Sequence, residues 1–336
     1  MDPVSQGALG AVFSQTTQTR EKIVVAAWLG CAAGMAPDLD VLIQSSTDPL
    51  LFLEYHRHFT HALIFIPIGA AIVCGALYRL AQHRLTLQQA YLACLIGYAT
   101  HGLLDACTSY GTQLFWPFSD TRVDWNNVSV VDPMLTLPLL ACAIAATRLR
   151  RRRLAYLGIG WVLAYLSLGV VQLYRAEASA EFLAGERGHE ANRLTLKPSF
   201  GNLVVWKSIY EYQNHYYVDG IRVFAGAEVC EGNRVEKLDP VRHLPFLEPD
   251  SQQHRDLERF RWFSDDYLSP TEEPGGVTDI RYSMVANQTR PMWGITLSPQ
   301  ATREQHVAWW SVRDAGAARR SEFYALLVGE GCRTLH

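Results

Sequence analysis

The sequence predicts an α-helical integral membrane domain of about five hydrophobic helices, followed by a mixed α+β extracytoplasmic domain. Residues 22–174 are dominated by Ala, Leu, Ile, Val and Gly, whereas the chain from residue 175 onward is polar. Lys and Arg gather in the short links between the apolar stretches. Because 336 residues is long for one domain, we place a membrane domain at 1–175 and a second domain at 176–336.

Each predicted membrane helix is an apolar stretch that approaches the roughly 20 residues needed to cross a bilayer. The five stretches are 23–36, 62–78, 85–104, 133–147 and 154–174. The first is too short to span alone. The weakly apolar stretch 3–15 precedes it, so we expect the two to form a short helical hairpin that turns near residues 20–22.

The basic residues predict how these helices are oriented. If the helices alternate in direction, three basic clusters lie on one side of the membrane: Arg20 with Lys22, Arg79 with Arg84, and Arg148 with 150–153. Loops rich in Lys and Arg usually face the cytoplasm. The polar second domain is therefore expected outside the cytoplasm.

The same alternation brings the unusual polar residues together at the outer face. They are Asp38, Asp40, the run 56–61, the run 101–105, and Asp132. Since only Lys and Arg were used to orient the helices, this convergence is an independent indication of a functional site.

Two of these segments carry the residue types of a metal site. Asp38 and Asp40 follow the helix-breaking Pro37, and a D-x-D pair in an irregular segment can present both carboxylates to one cation. His56 and His61 lie in a run of three histidines within six residues, and neutral histidine is a common metal ligand. The alternative interpretations are an exposed acidic turn and an interfacial anchor.

The third segment contains His101 and Asp105. These two residues are four positions apart on a predicted helix, so their side chains share a face. Ionisable residues within a membrane segment usually mark function. A His–Asp pair that only holds helices together is the alternative.

We also assign three catalytic candidates. They are Arg57 to stabilise negative charge, Asp132 as the base, and Thr60, which shares a helical face with His56 and His61 if that segment is helical.

The predicted metal ligands are Asp38, Asp40, His56, His61, His101 and Asp105. Mixed oxygen and nitrogen ligands suit several divalent cations, and the histidines favour zinc or manganese. The number of ions stays open, although two ions would suit phosphoester hydrolysis.

The net charge and the cysteines of the chain bear on its partners and on a possible disulfide. The formal net charge of -3 gives no global basic surface, so nucleic acid is not an expected partner. Of the seven cysteines, Cys230 and Cys332 lie in the polar half. They could form a disulfide in an oxidising compartment. The oligomeric state is left open.

These motifs resemble the membrane-bound metal-dependent hydrolases, a bacterial family that includes a LexA-regulated inner-membrane hydrolase type. The matching stretches are 1–10, 36–40, 56–61, 101–105 through Gly111 and Pro117, and 131–138, with 197–206 resembling a motif of longer members. The resemblance implies a multi-pass hydrolase of the bacterial inner membrane with a metal at the His and Asp positions. Many members carry His where this chain has Gln6, which leaves open whether Gln6 and Asp2 join the site.

The function we predict is hydrolysis of an amphiphilic ester or phosphoester, such as a membrane lipid, at the outer membrane–water interface. Two alternatives remain. One is a non-catalytic metal-binding membrane protein of the sensor or transporter type, and the other is a purely structural role for the His–Asp pairs.

In the second domain, strands are predicted at 203–212, 216–224, 278–286 and 292–297. The segments 305–311 and 318–327 fit helix or strand equally well.

Overall fold

The computed structural model describes residues 1–312 and 316–335, which form two compact units. The first unit contains residues 1–43, 55–171 and 200–202. The second contains residues 44–54, 172–199 and 203–336. A helical N-terminal region is thus followed by a sheet-containing domain, as the sequence predicts.

The N-terminal region is built from α-helices joined by short links. In chain order they are α1 (Pro3–Thr16), α2 (Ile23–Met35), α3 (Leu51–Tyr55), α4 (Ile66–Ala81), α5 (Leu87–Ala106), α6 (Pro133–Leu149) and α7 (Arg152–Glu186). Three short 3₁₀ helices lie between them, at Ala36–Leu42, Phe59–His61 and Leu63–Phe65.

The predicted N-terminal hairpin is confirmed, because α1 and α2 pack closely against each other through glycines. A Cβ atom added to Gly10 would lie 2.2 Å from the carbonyl oxygen of Gly30, and one added to Gly34 would lie 2.6 Å from the carbonyl oxygen of Gln6. Small residues allow helix backbones to approach in this way within membranes. The hairpin therefore depends on glycine at these positions.

The prediction of about five membrane helices is not supported. Among the described residues, three helical segments are long and apolar enough to cross a membrane: Ile23–Leu42, Leu63–Ala81 and Arg152–Glu186. Helix α6 is apolar but has only 17 residues. Helix α5 has 20 residues but is diluted by polar side chains such as Gln88, Gln89 and His101. The first span reaches the required length because α2 continues into the 3₁₀ helix.

Helices α2, α4 and α5 share a core of small side chains. Ala26, Leu29 and Ala33 of α2 are fully buried against Ala90 and Ala93 of α5 in this cluster. Helix α5 begins with a capping box, in which Thr86 and Gln89 satisfy each other's backbone N–H groups. This packing fixes the carboxyl-terminal end of α5, where His101 and Asp105 lie.

The second unit contains two antiparallel sheets. The first has the strand order β1-β2-β3-β4-β9 and the second has the order β5-β6-β7-β8. The strands are β1 (Asn192–Pro198), β2 (Val205–Tyr212), β3 (His215–Val223), β4 (Ala227–Glu236), β5 (Leu268–Pro270), β6 (Gly276–Asp279), β7 (Trp293–Thr296), β8 (Ala308–Ser311) and β9 (Arg333–Thr334). The helices of this unit are α8 (Pro240–His243), α9 (Gln252–Phe263) and α10 (Ala317–Val328).

Most of the predicted strands are confirmed. The predictions at 203–212, 216–224 and 292–297 correspond to β2, β3 and β7, while 305–311 contains β8 and 318–327 lies in α10. The prediction at 278–286 is wrong beyond Asp279. There the chain turns, and the Ser283 hydroxyl donates a hydrogen bond to the carbonyl oxygen of Val285.

Candidate metal centre

The site begins where α2 passes into the 3₁₀ helix Ala36–Leu42. Pro37 opens this helix, which turns the chain so that the side chains of Asp38 and Asp40 approach the 56–61 segment. The Asp40 side chain is fully buried, whereas the Asp38 side chain is 20% exposed. The two carboxylates of the D-x-D pair thus lie at different depths.

His101 has a defined tautomer. Its Nδ1 lies 2.5 Å from the carbonyl oxygen of Gly34 in α2. A carbonyl oxygen can only accept a hydrogen bond, so Nδ1 carries a proton, and in the neutral ring Nε2 carries the lone pair. The ring is completely buried.

His61 is oriented in the same sense by Thr60 and Asp40. The Thr60 hydroxyl donates to Asp40 Oδ2 at 3.0 Å and is therefore free to accept from His61 Nδ1, also at 3.0 Å. Asp40 Oδ2 itself lies 3.3 Å from His61 Nδ1. Both oxygens favour a proton on Nδ1, which leaves the Nε2 lone pair of His61 pointing away from them.

The two Nε2 atoms face each other across 2.9 Å, and two carboxylate oxygens complete the group. Asp38 Oδ1 lies 3.5 Å from His61 Nε2 and 3.3 Å from His101 Nε2. Asp105 Oδ2 lies 3.2 Å and 3.5 Å from the same two atoms. We call these four side chains the buried quartet. All four ligand atoms lie within 4.8 Å of one another.

The distances between the donor atoms of the quartet suit a bound divalent cation. Four ligands at the usual zinc distances in a tetrahedron are separated from one another by roughly 3.3 Å. Five of the six separations between the ligand atoms of the quartet range from 2.9 to 3.5 Å. In addition, Asp105 Oδ2 is buried and accepts no hydrogen bond from the described residues. These side chains therefore suit zinc or another small cation.

The electrostatics of the quartet also favour positive charge at this point. Burial lowers the pKa of His61, but the neighbouring carboxylates of Asp105, Asp38 and Asp40 outweigh that effect and raise it to about 10. Acceptor atoms so close together repel unless a cation lies among them. Either a proton or a divalent cation can fill this role.

Arg57 and Gln6 both contact Asp105. The Arg57 Nε lies 3.1 Å from Asp105 Oδ2, and its Nη1 donates to Thr108 Oγ1 at 2.8 Å. The Gln6 Nε2 donates to Asp105 Oδ1 at 2.9 Å, and the Met1 amino group donates to the same oxygen. Gln6, whose part in the site the sequence left open, therefore acts here as a hydrogen-bond donor to Asp105.

A second group of donors lies beside the quartet and shares Asp38 with it. It consists of Asp38, Asp40 and His56, whose ligand atoms also lie within 4.8 Å of one another. His56 Nδ1 lies 2.9 Å from Asp40 Oδ1. We call it the outer triad, because the side chains of His56 and Asp38 are 22% and 20% exposed.

The structure places Asp132 in different surroundings from the other predicted site residues. Its Oδ1 accepts hydrogen bonds from the backbone N–H groups of Met134 and Leu135 at the start of α6. Both of its carboxylate oxygens also lie 2.9 Å from the Tyr165 hydroxyl. Asp2 similarly caps α1 by accepting from Ser5 N. These are the contacts of helix N-caps.

Sequence reasoning did not identify three groups that position the site. The Gly34 carbonyl fixes His101, the Thr108 hydroxyl holds Arg57, and the Tyr98 hydroxyl donates to the carbonyl oxygen of Thr60 at 2.9 Å. A backbone carbonyl leaves no signal in a sequence. Thr108 and Tyr98 could have been suspected only from their proximity to the polar segment 100–105.

Comparison with known proteins places this region in a family. Residues 1–176 match the model of the YdjM inner membrane protein family. The uncharacterized protein YfhP of Bacillus subtilis (strain 168) is 27% identical over 110 residues, which is 33% of this chain and 33% of that protein. The chain thus spans about one third of the length of this curated relative. No solved structure matches.

Proposed function

Because the chain belongs to the YdjM inner membrane protein family, we propose that it is a membrane-bound, metal-dependent hydrolase of the bacterial inner membrane. Its substrate would be an amphiphilic ester or phosphoester, such as a membrane lipid, that reaches the site from the membrane–water interface. The observation that carries the proposal is the pair of Nε2 lone pairs of His61 and His101, which face each other beside two carboxylates.

Each residue of the site would have a defined task. A divalent cation in the quartet, zinc or manganese, would polarise the reacting oxygen of the substrate and activate water. Asp40 and Thr60 hold His61 in the tautomer that presents Nε2. Arg57 provides a fixed positive charge 3.1 Å from Asp105, suited to stabilise negative charge that develops on the substrate.

The hydrolysis also needs a general base that takes a proton from the attacking water. Asp132 is the candidate from the sequence, yet the contacts that the structure gives it are with the N-terminus of α6 and with Tyr165. Those contacts favour a capping role. Asp132→Asn, which can cap the helix but cannot act as a base, separates the two roles.

The second domain is proposed to lie outside the cytoplasm. In support, the structure joins Cys230 and Cys332 in a disulfide, and disulfides persist mainly in oxidising compartments. After mild reduction, intact spheroplasts are expected to react with a membrane-impermeant maleimide at these two cysteines. Labelling that requires lysis of the cells would place the domain in the cytoplasm.

A non-catalytic metal-binding role is the second candidate, and one observation favours it. Four protein ligands would fill a tetrahedron, as in structural zinc sites, whereas catalytic sites keep a position open. His61, His101 and Asp105 are almost completely buried. In this alternative the cation would hold α2, α5 and the 56–61 segment together without reacting.

The proposed activity is tested by hydrolysis of phospholipid and phosphoester amphiphiles in detergent by the zinc- or manganese-loaded protein. We expect turnover by the natural sequence and none by His101→Ala that is inserted normally in the membrane. His83→Ala, at an exposed histidine in the link between α4 and α5, is the matched control and should keep full activity. Activity retained in His101→Ala would contradict the assignment, whereas bound metal without turnover of any substrate would favour the non-catalytic role.

A further inference from the structure

The outer triad differs from the quartet in its access to solvent. His56 and Asp38 are each about one fifth exposed, whereas Asp40 is fully buried beneath them. The triad has three side-chain donors and the quartet has four. A ligand reaching the site from outside would therefore meet the triad first.

We propose that a second divalent cation binds to Asp38, Asp40 and His56, with Asp38 shared between the two ions. This inference rests on the proposed function, because the quartet would hold the first ion. Three protein ligands leave coordination positions for water and substrate, as in catalytic sites. The outer ion would therefore offer open positions to water and substrate beside the ion of the quartet, and Asp38 would be shared between the two ions.

The local hydrogen bonds are compatible with this second ion. Asp40 Oδ2 is held by the backbone N–H of Arg57 at 2.9 Å and by the Thr60 hydroxyl at 3.0 Å. The opposite oxygen, Oδ1, contacts His56 Nδ1 at 2.9 Å. A cation between these two atoms would replace their hydrogen bond and leave the contacts that orient His61 unchanged.

Charge balance indicates the class of substrate. The side chains of the two groups carry three carboxylates, and Arg57 adds one guanidinium, which together give a charge of about −2 when the histidines and the Met1 amino group beside Asp105 are neutral. One dication cancels this charge. A second dication leaves about two positive charges unbalanced, and a phosphate group would neutralise them.

The two-ion centre therefore favours a phosphoester over an uncharged carboxylic ester. Two-metal sites use ions about 3.5–4 Å apart to hold both the attacking and the leaving oxygen of a phosphoryl group. A carboxylate shared between the ions, which is the position of Asp38, is compatible with such a spacing. The outer ion should then bind more weakly alone than together with phosphate.

The test is the stoichiometry of bound Mn²⁺ in the full-length, detergent-purified protein, measured by equilibrium dialysis with and without inorganic phosphate. We expect two ions per chain with phosphate and a weaker second ion without it. His56→Ala should retain one ion in both conditions, which also shows that the variant is folded. His58→Ala should bind two ions, because the structure places this ring against Tyr55 and Trp116.

A single ion in the natural sequence under every condition would overturn the second site while leaving the buried site intact. Two ions in His56→Ala would overturn the ligand assignment. No bound ion at all would contradict the proposed function itself. As a second readout, the electron paramagnetic resonance spectrum should show coupling between two manganese ions in the natural sequence and none in His56→Ala.

Discussion

His61 and His101 present their Nε2 atoms to each other at 2.9 Å, although the two residues are 40 positions apart in the chain. When both rings are neutral, neither Nε2 donates to the other, because Asp40 with Thr60 favours the proton of His61 on Nδ1 and the Gly34 carbonyl favours that of His101 on Nδ1. Two facing lone pairs in a buried site are unfavourable on their own. A proton on one ring or a divalent cation between the two rings accounts for the arrangement, and the two cases differ in whether metal is bound.

Substitution of Asp132 separates a capping role from a catalytic one. Asn caps helices about as well as Asp but cannot serve as a base, so we expect Asp132→Asn to keep both bound metal and hydrolysis. Asp132→Ala should lower the free energy of unfolding by about 1 kcal/mol through loss of the cap. Melting temperature and turnover are measured on both. Loss of turnover in Asp132→Asn with bound metal unchanged would instead make Asp132 the base.

Arg259 on α9 is expected to hold the segment 44–54 in the second unit. Its guanidinium donates to both oxygens of Asp48, at 2.8 and 3.0 Å, and also to Glu54. We expect Arg259→Ala to speed amide hydrogen exchange in 44–54 by on the order of tenfold, since charge-assisted bidentate pairs are the strong ones.

The matched control for this prediction is Arg261→Ala on the same helix. Arg261 pairs with Glu258 and Asp266, outside the segment 44–54. Its removal should leave exchange in 44–54 unchanged. Equal exchange rates in both variants would show that Arg259 does not hold the segment.

Lys207 in β2 should make the stability of the protein depend on pH. Its side chain is buried and donates to the Ser283 hydroxyl and to the carbonyl oxygen of Gln288. Burial lowers the pKa of this lysine from 10.5 to about 7. Between these values the unfolded chain binds one more proton than the folded chain, so stability rises with pH by at most about 1.4 kcal/mol per unit.

This pH dependence is checked by measuring the melting temperatures of the natural sequence and of Lys207→Met from pH 7 to pH 10. The natural sequence should gain stability relative to the variant as the pH rises through this window. A difference in melting temperature that stays constant across this pH range would show that Lys207 is charged in the folded protein.

The elements that the sequence predicts well are those with a strong local pattern. The hairpin of α1 and α2 follows from two apolar stretches and the polar residues 20–22, and β2 and β3 follow from their aromatic and β-branched residues. Segment 278–286 has similar composition, yet the chain turns after Asp279. Side-chain hydrogen bonds such as that of Ser283 compete there with strand pairing.

The residues of the candidate site could be predicted from the sequence, but their arrangement in space could not. The sequence predicted the convergence of Asp38, His61, His101 and Asp105 by assuming five alternating helices, and the structure brings these residues together with three candidate spans among the described residues. Their division into a buried quartet and an outer triad depends on the 3₁₀ turn after α2 and on the left-handed backbone of Arg57, whose φ is 63°. Non-glycine residues adopt that conformation only when their surroundings impose it.

The most direct test of a metal centre is elemental analysis of the detergent-purified protein beside His101→Ala and Asp38→Ala. We expect stoichiometric zinc or manganese in the natural sequence and loss of the buried ion in both variants, with all three proteins inserted in the membrane. An absence of metal from the natural sequence, even after supplementation with both ions, would contradict it. The facing histidines would then be held by a proton, and the site would only join helices.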